Sequence, residues 1–284
     1  MIHQVYFCKL GIIREIVLFL FCCLFSFHTY AFSLNVTQTE AGSLIGQIDI
    51  SRIEEIDSLT IRGDLNGTDI LVIRKMTKLV FLDISETKIV NGGQSYYENY
   101  TTSENKLGDF FFKESNCLNK IILPKSIDSI GNDAFADCGN LASIVIPNNV
   151  LSIGKRAFNG CAKLTSVIIE DGIEKLQCFG TSPSSAFHNC NIESLYLGRN
   201  ICHNQYDVSL FSYSRTLTSV TIGKLVTEID IIAFRGCDNL TKVTIPNSVT
   251  EIGSGAFMNC TSLANITIPN SVTLISDDVF NDCI

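Results

Sequence analysis

A repeat of 23 residues constrains this chain more than any other feature of its sequence. The segment IPNSVTEIGSGAFMNC ends at Cys260, and close variants of it end at Cys161, Cys237 and Cys283. Two apolar residues separated by one position recur nine times, and five of the eight intervals between these pairs are 23 residues long. One such unit cannot bury an apolar face alone, whereas stacked units cover one another. The chain is therefore predicted to fold as a solenoid.

Each unit is predicted to contribute one short strand, because its apolar pair alternates as a strand with one buried face does. The pairs are Leu59/Ile61, Leu82/Ile84, Ile121/Leu123, Ile144/Ile146, Val167/Ile169, Leu195/Leu197, Val220/Ile222, Val243/Ile245 and Ile266/Ile268. Pro147, Pro246 and Pro269 directly follow a pair and end the strand, because proline cannot donate to a ladder. The predicted fold class is an α/β-type repeat solenoid with about nine rungs of short parallel strands. Its convex side is expected to consist mainly of turns and short helical segments.

Fixed positions later in the unit predict ladders of like residues inside the solenoid. Equivalent residues of stacked parallel units lie one above another, roughly 4.8 Å apart. The predicted ladder residues are Cys138, Cys161, Cys190, Cys237, Cys260, Cys283, Phe135, Phe158, Phe187, Phe234, Phe257 and Phe280. Gly131, Gly154 and Gly253 are expected to permit a turn that a Cβ atom would hinder.

The cysteines leave more than one interpretation open. Nine of the 12 cysteines follow residue 31, so at least one thiol has no partner within that part of the chain. The six ladder cysteines are most simply small buried apolar side chains. Stacking brings the Cα atoms of cysteines in neighbouring rungs close enough for a disulfide. Their Cβ atoms, however, point in the same direction and do not turn toward each other. Outside the ladder, Cys178, Cys202, His188 and His203 leave open a Cys178–Cys202 disulfide or a zinc site, although their spacing fits no tight zinc motif.

The first 31 residues are interpreted as a secretory signal peptide. Lys9 and Arg14 precede the uncharged apolar run IVLFLFCCLFSF, and Thr29 and Ala31 are small residues suited to a cleavage site. The run has 12 residues, whereas a bilayer span needs about 20, which disfavours a transmembrane anchor. The chain is therefore predicted to be secreted or displayed on the cell surface, with no membrane span once the signal is removed.

Composition argues against several classes of function. The formal net charge is −8 and no basic cluster is present, so nucleic acid and anionic lipid are poor candidate partners. The sequence contains no nucleophile elbow, zinc-protease motif or phosphate-binding loop, and only two histidines follow residue 31. The chain is therefore predicted not to be an enzyme and to need no cofactor or metal.

The repeats resemble a known family. The units CGNLASIVIPNNVLSIGKRAFNGC and CDNLTKVTIPNSVTEIGSGAFMNC are similar to the BspA-like leucine-rich repeats of bacterial cell-surface proteins. The segment LTIRGDLNGTDILVIRKMTKLVFLDISETKIV resembles the N-terminal repeats that introduce such arrays in secreted bacterial proteins. The resemblance implies a leucine-rich-repeat solenoid at the cell surface, without a catalytic motif. It also implies a role in adhesion to host proteins such as fibronectin and fibrinogen, or in bacterial coaggregation.

The chain departs from the family pattern at several places. Glu170 stands where the unit has proline, and Phe211 has no cysteine three residues later. The sequence ends at Ile284, one residue after a ladder cysteine, so we expect a solenoid that is uncapped or truncated at this end. The predicted domains are a signal peptide over 1–31, an N-terminal cap or lead-in over 32–58 and the solenoid over 59–284. Insertions are expected at about 85–115 and 170–190.

The outward side of the strands is the first candidate binding surface, because solenoids bind ligands on this extended face. In the repeat register the outward row is Ile122, Val145, Ile168, Tyr196, Thr221, Thr244 and Thr267. Its first half is apolar and its second half is a ladder of hydroxyl groups, and exposed apolar stripes can mark partner sites. The alternative is that β-branched and hydroxyl residues simply suit solvated strands.

The insertion over 85–115 is the second candidate. It carries Tyr96, Tyr97 and Tyr100 among small polar residues, a composition typical of adaptable binding loops. The alternative is a spacer whose tyrosines pack on the neighbouring rung. The predicted function is recognition of host or bacterial surface proteins or glycans through these two surfaces. The alternative is a structural spacer, or a fragment of a larger surface assembly, without a ligand of its own.

Overall fold

A computed structural model describes residues 32–180, 184–202 and 209–283, and the predicted signal peptide lies outside these residues. The strands are β1 (Phe32–Thr37), β2 (Ile56–Leu65), β3 (Phe81–Ile89), β4 (Gly92–Tyr97), β5 (Tyr100–Thr102), β6 (Lys106–Leu107), β7 (Lys120–Ile122), β8 (Ser129–Ile130), β9 (Ser143–Ile146), β10 (Ser152–Ile153), β11 (Ser166–Ile169), β12 (Gln177–Cys178), β13 (Ser194–Leu197), β14 (Ser219–Ile222), β15 (Glu228–Ile229), β16 (Lys242–Thr244), β17 (Glu251–Ile252) and β18 (Leu274–Ile275). One α-helix, α1 (Gly67–Arg74), lies between β2 and β3, and two 3₁₀ turns, Leu44–Gln47 and Ile50–Glu55, lie between β1 and β2.

A nine-stranded sheet forms one side of the solenoid. Its order is β1-β2-β3-β7-β9-β11-β13-β14-β16, and the pairs from β2 onward are parallel. Equivalent residues stand opposite each other, so that Ile144 pairs with Val167 and Val167 with Leu195. Eight of the nine predicted strands are confirmed, because the alternating pattern turns one apolar face of each toward the interior, where it is buried except in β16, whose Val243 is half-buried.

The prediction of a strand at Ile266/Ile268 was wrong, and β1 was not predicted. Ile266 and Ile268 are half-buried and lie outside the described strands, because their segment makes no described ladder pairing and the sheet ends at β16. The last rung stacks instead through its return path, where Thr273 N donates to Thr250 O at 2.9 Å. At the opposite edge, β1 pairs with β2 within the predicted lead-in.

The return path carries a second series of very short strands that the sequence did not predict. Strands β6, β8, β10 and β12 form one parallel sheet, and β15, β17 and β18 form another. Ile130, Ile153 and Ile252 point inward from these strands and are at most 1% exposed. In the described residues after Arg74, turns take the place of the expected short helices.

The interior contains the predicted phenylalanine and cysteine ladders. The rings from Phe135 to Phe280 stack with centroid separations of 5.0–6.5 Å, and Phe211 takes its place among them. Each ladder cysteine donates its thiol to the carbonyl oxygen of the phenylalanine in the preceding rung, at 3.0–3.3 Å. Ser214 stands at this position in the Phe211 rung, where its N–H donates to Phe211 O as Cys138 N donates to Phe135 O.

The repeated glycine after the return path is required for a different reason from the one expected. A Cβ atom on Gly154 would lie 2.5 Å from Asn132 N and from the carbonyl carbon of Gly131 in the preceding rung. A Cβ atom on Gly131 would lie 2.6 Å from Asp109 N. Neither glycine has a positive φ, so the close approach of neighbouring backbones, and not the turn conformation, selects glycine here.

Helix α1 stabilises the N-terminal end of the array through a buried carboxylate. Asp69 is fully buried and accepts hydrogen bonds from Gly42 N at 2.6 Å, Leu44 N at 3.0 Å and Asn66 N at 2.9 Å. The Asn66 side chain in turn accepts from Thr68 N, which completes a capping box. The carboxylate thereby joins the helix to the segment that follows β1.

Candidate binding surfaces

An exposed apolar stripe crosses the outward face of the nine-stranded sheet. Its members are Ile122, Val145, Ile168 and Tyr196, from four consecutive strands. Val145 stands opposite Ile168, and Ile168 opposite Tyr196. The three β-branched side chains are 37–41% exposed, so each presents apolar area that the solenoid does not cover. Neighbouring strands lie about 4.8 Å apart, which makes the stripe continuous.

Tyr196 ends the apolar stripe with a fixed hydroxyl group. Its hydroxyl donates to Asp171 Oδ1 at 2.8 Å, and burial together with this hydrogen bond raises the pKa of Tyr196. A Cβ atom on Gly223 would lie 2.5 Å from Asp171 Oδ1 and 2.9 Å from the Tyr196 hydroxyl oxygen, so glycine at 223 makes room for the pair. Asp171 was not predicted from the sequence. The feature that could have indicated it is the pair Glu170–Asp171, which stands where other units have proline and asparagine.

Hydroxyl side chains continue the same face beyond Tyr196. Thr221 stands opposite Tyr196, Thr244 stands opposite Thr221, and both are exposed. Thr267 is exposed but lies outside the described strands. A parallel row of serines, Ser143, Ser166, Ser194 and Ser219, pairs in register beside the apolar stripe. The sheet face therefore has an apolar half bordered by hydroxyl groups, as the sequence predicted.

The tyrosines of the 85–115 insertion pack against other residues of the protein and are less exposed than expected for a free binding loop. Tyr96 is only 3% exposed, and its hydroxyl donates to Asp109 O at 2.9 Å. The expectation that Tyr96 is available to a ligand was wrong, because its ring packs against Phe111 at 5.2 Å. Burial raises the pKa of Tyr96.

Tyr97 and Tyr100 pack on Phe110 in the turn that precedes the phenylalanine ladder. The ring centroids of Tyr97 and Phe110 lie 4.9 Å apart, and those of Tyr100 and Phe110 lie 5.0 Å apart. Arg74 lies over the Tyr97 ring at 5.2 Å and donates to the carbonyl oxygens of Phe110 and Phe111. These contacts favour the spacer interpretation of the insertion, although Tyr100 keeps 37% of its surface exposed. The three tyrosines lie on β4 and β5, which form a separate two-stranded sheet, so they do not join the apolar stripe.

The described cysteines are free thiols. Burial raises the pKa of Cys138 and of Cys260 to about 12, so these thiols stay protonated at neutral pH. In the described residues no group of three His, Cys, Asp or Glu side chains is arranged to hold a metal ion. Cys178 and Cys202 are both half-buried, and His203 of the possible zinc set lies outside the described residues.

The described part of the chain contains no helix with the length and apolar character that a bilayer span requires.

Comparison with protein families identifies the type of repeat. The model described as "BspA type Leucine rich repeat region (6 copies)" matches residues 96–212 and 181–284. Together these ranges span residues 96–284, about two thirds of the 284 residues. No curated protein matches the chain.

Several solved structures are similar to the chain. A leucine-rich cell surface protein from Faecalibacterium prausnitzii shares 28% identity over 72% of this chain and 45% of its own, with a TM-score of 0.40. The chain thus spans less than half of that protein. A leucine-rich repeat protein from T. pallidum shares 21% identity over 66% of this chain and 78% of its own, with a TM-score of 0.44. One from Bacteroides ovatus shares 20% identity over 81% of both chains, with a TM-score of 0.26.

Proposed function

The chain belongs to the BspA-type leucine-rich repeat family, and from that premise we propose that it is an exported interaction module that binds a protein or glycan on its sheet face. The apolar stripe of Ile122, Val145, Ile168 and Tyr196 is the observation that carries this proposal. The family match supports an interaction module, because solenoids of stacked repeats use their extended surfaces for binding. The proposed site is therefore a surface for recognition and not for chemistry.

The rigidity of the sheet face supports binding. Each residue of the apolar stripe projects from a strand that is paired on both sides, so its position is fixed before a ligand arrives. Preorganisation lowers the entropy lost on association. When a partner covers the stripe, each Å² of apolar surface removed from water contributes about 25 cal/mol to the free energy of binding. The neighbouring serine and threonine hydroxyls supply donors and acceptors at the rim of the site.

Export of the chain is part of the same proposal. The N-terminal run of 12 uncharged apolar residues after Lys9 and Arg14 supports a cleavable secretion signal. The similar protein from Faecalibacterium prausnitzii is a leucine-rich cell surface protein, which is consistent with display of this chain outside the cell.

A solid-phase binding assay with matched variants tests the proposed site. The purified protein is presented to a panel of extracellular-matrix proteins, mucins and polysaccharides, together with V145K and L151K. Val145 and Leu151 are exposed to similar extents, 41% and 45%, but Leu151 lies outside the sheet face. We expect saturable binding to one class, weakened at least about tenfold by V145K because a charge in the stripe opposes burial. L151K should bind as the unaltered protein does.

Two outcomes would count against the proposal. Equal binding by folded V145K and L151K would show that the apolar stripe is not part of the binding site. A folded protein that binds nothing in the panel would favour the alternative of a structural spacer. Circular dichroism and thermal unfolding of each variant establish that it is folded.

A further inference from the structure

A polar cavity separate from the sheet face opens where the cysteine ladder is interrupted. Ser214 takes the ladder position three residues after Phe211, as Cys190 does three residues after Phe187. The cavity has a volume of about 310 Å³ and lies between the turns over 185–191 and 209–216. This volume is at the lower end for cavities that bind small molecules, which suits one ring of a ligand.

Tyr213, at the edge of this cavity, has an unusual backbone conformation for its size. Its φ is 61°, in the left-handed region that bulky residues rarely adopt. Equivalent positions in the other described rungs carry the positive-φ residues Glu114, Asp137, Gly160, Asn189, Gly236, Asn259 and Asp282. Tyr213 is the only aromatic residue among them. Phe110 and Ile232 also have a positive φ, so the conformation alone does not define a site, and the surroundings of the Tyr213 ring carry the argument.

The Tyr213 ring is held as a platform beside the cavity. A Cβ atom on Gly236, in the next rung, would lie 2.6 Å from Tyr213 Cδ1, so the ring packs against backbone that only glycine permits. The Arg235 guanidinium lies 5.9 Å from the ring centroid. Even so, 52% of the tyrosine remains exposed, and it lines the cavity. An exposed, supported aromatic ring is suited to stack against the apolar face of a sugar.

The rest of the lining supplies hydrogen bonds and positive charge. His188, Asn189, Asn191 and Ser212 contribute donors and acceptors, and Arg215 contributes a guanidinium group. None of the described residues that line the cavity is an aspartate or glutamate, although the chain as a whole has a net charge of −8. Arg215 Nε lies 3.8 Å from Asp238 Oδ2, but both side chains are exposed, so this pair is weak and leaves other N–H groups available.

We propose that this cavity binds one hexuronic acid unit of an anionic polysaccharide. Tyr213 stacks on the pyranose ring, Arg215 binds the carboxylate, and the amide and hydroxyl groups bind the ring hydroxyls. A neutral sugar would leave the guanidinium group without the anion that favours Arg in such sites. The proposal concerns a site between the turns over 185–191 and 209–216 and does not depend on the function of the apolar stripe.

Titration with a galacturonic acid trimer and with its methyl ester tests the proposal, because the two probes differ in charge and share the ring. Saturation-transfer NMR should detect saturable binding of the acid trimer, with the methyl ester at least about tenfold weaker, the size of one charge-assisted hydrogen bond. Y213N should weaken binding of the acid trimer at least about tenfold, whereas Y213F should retain it. Asparagine suits a positive φ, as at Asn189 and Asn259, so Y213N is expected to fold.

A charge-removing pair of variants separates Arg215 from a general electrostatic effect. R215Q should bring the affinity for the acid trimer down to that for the methyl ester, whereas R62Q, which removes an exposed arginine elsewhere on the solenoid, should change nothing. The proposal is overturned if folded Y213N binds the trimer with unchanged affinity, if both probes bind equally well, or if neither binds. The V145K variant should bind the trimer normally, which keeps this result distinct from the test of the sheet face.

Discussion

At the scale of single residues, the ladder cysteines combine close packing with a hydrogen bond. The Cys161 thiol is fully buried and donates to Phe135 O at 3.2 Å, while Cys161 N donates to Phe158 O in its own rung. The period of the repeat predicted that these side chains are buried. It could not predict the hydrogen bond, because the direction of the thiol depends on how far one rung is displaced relative to the next.

Alkaline pH should weaken the ladder. Burial raises the pKa of Cys138 and Cys260 from 9.0 to about 12, so the folded protein holds these protons more tightly than the unfolded chain does. Their contribution to the free energy of unfolding is therefore fully present below pH 9 and is lost as the pH rises from 9 to about 12. We expect the midpoint of urea unfolding to fall across this range.

A cysteine-to-alanine variant provides the control for this pH dependence. C138A/C260A should be less stable at pH 8, because the thiols and their hydrogen bonds are gone, but its urea midpoint should fall less steeply above pH 9. A pH profile parallel to that of the unaltered protein would show that other groups cause the alkaline loss.

The tyrosines show where residue-level prediction fails. The composition of the 85–115 insertion correctly indicated a segment distinct from the regular repeat. It gave no way to tell an exposed tyrosine from one that packs on its neighbour, because that depends on contacts with Phe110 and Phe111 across the turn. Tyr213 was not predicted at all. Its signal was an aromatic residue at a position where most units have glycine, asparagine or aspartate.

At the scale of structural elements, the spacing between rungs is limited by how closely their backbones can approach each other. The apolar pairs predicted eight strands of the sheet, since burial of one face is a property of each segment alone. The strands of the return path escaped prediction because they have only two residues each, too few to show a period. Whether Ile266 and Ile268 form a strand depends on the segments packed beside them, and the repeat pattern does not reveal those contacts.

Substitution of Gly154 should disrupt the contact between two rungs. In G154A the new methyl group would lie 2.5 Å from backbone atoms of Asn132 and Gly131, which cannot move without shifting a rung. We expect the free energy of unfolding to fall by about 2 kcal/mol or more, measured by urea denaturation.

Gly139 offers a matched control for this substitution. A Cβ atom there would meet only Asn116 Oδ1, at 3.6 Å, which is an ordinary contact, and the φ of Gly139 is not positive. G139A should therefore leave stability within about 0.5 kcal/mol of the unaltered protein. Equal losses in the two variants would mean that backbone approach does not select glycine at 154.

At the scale of the whole molecule, stacking converts a short repeat into two kinds of surface. The sheet presents a regular face, on which the apolar stripe follows directly from the repeat register and was predicted from the sequence. The turns between the strands present irregular features where the repeat is broken, as at Ser214 and Tyr213. Such breaks are visible in the sequence, but the cavity that results from them depends on the packing of two neighbouring turns.

Hydroxyl-radical footprinting of the protein with the tightest-binding member of the panel is the most direct test of the sheet face as the ligand site. The method reports the solvent access of individual side chains by mass spectrometry. We predict that Ile122, Val145, Ile168 and Tyr196 lose reactivity when the ligand binds, whereas Leu151 and Leu225, which are exposed outside the sheet, keep theirs. Unchanged reactivity of the apolar stripe in the bound protein, or protection confined to Leu151 and Leu225, would contradict this account.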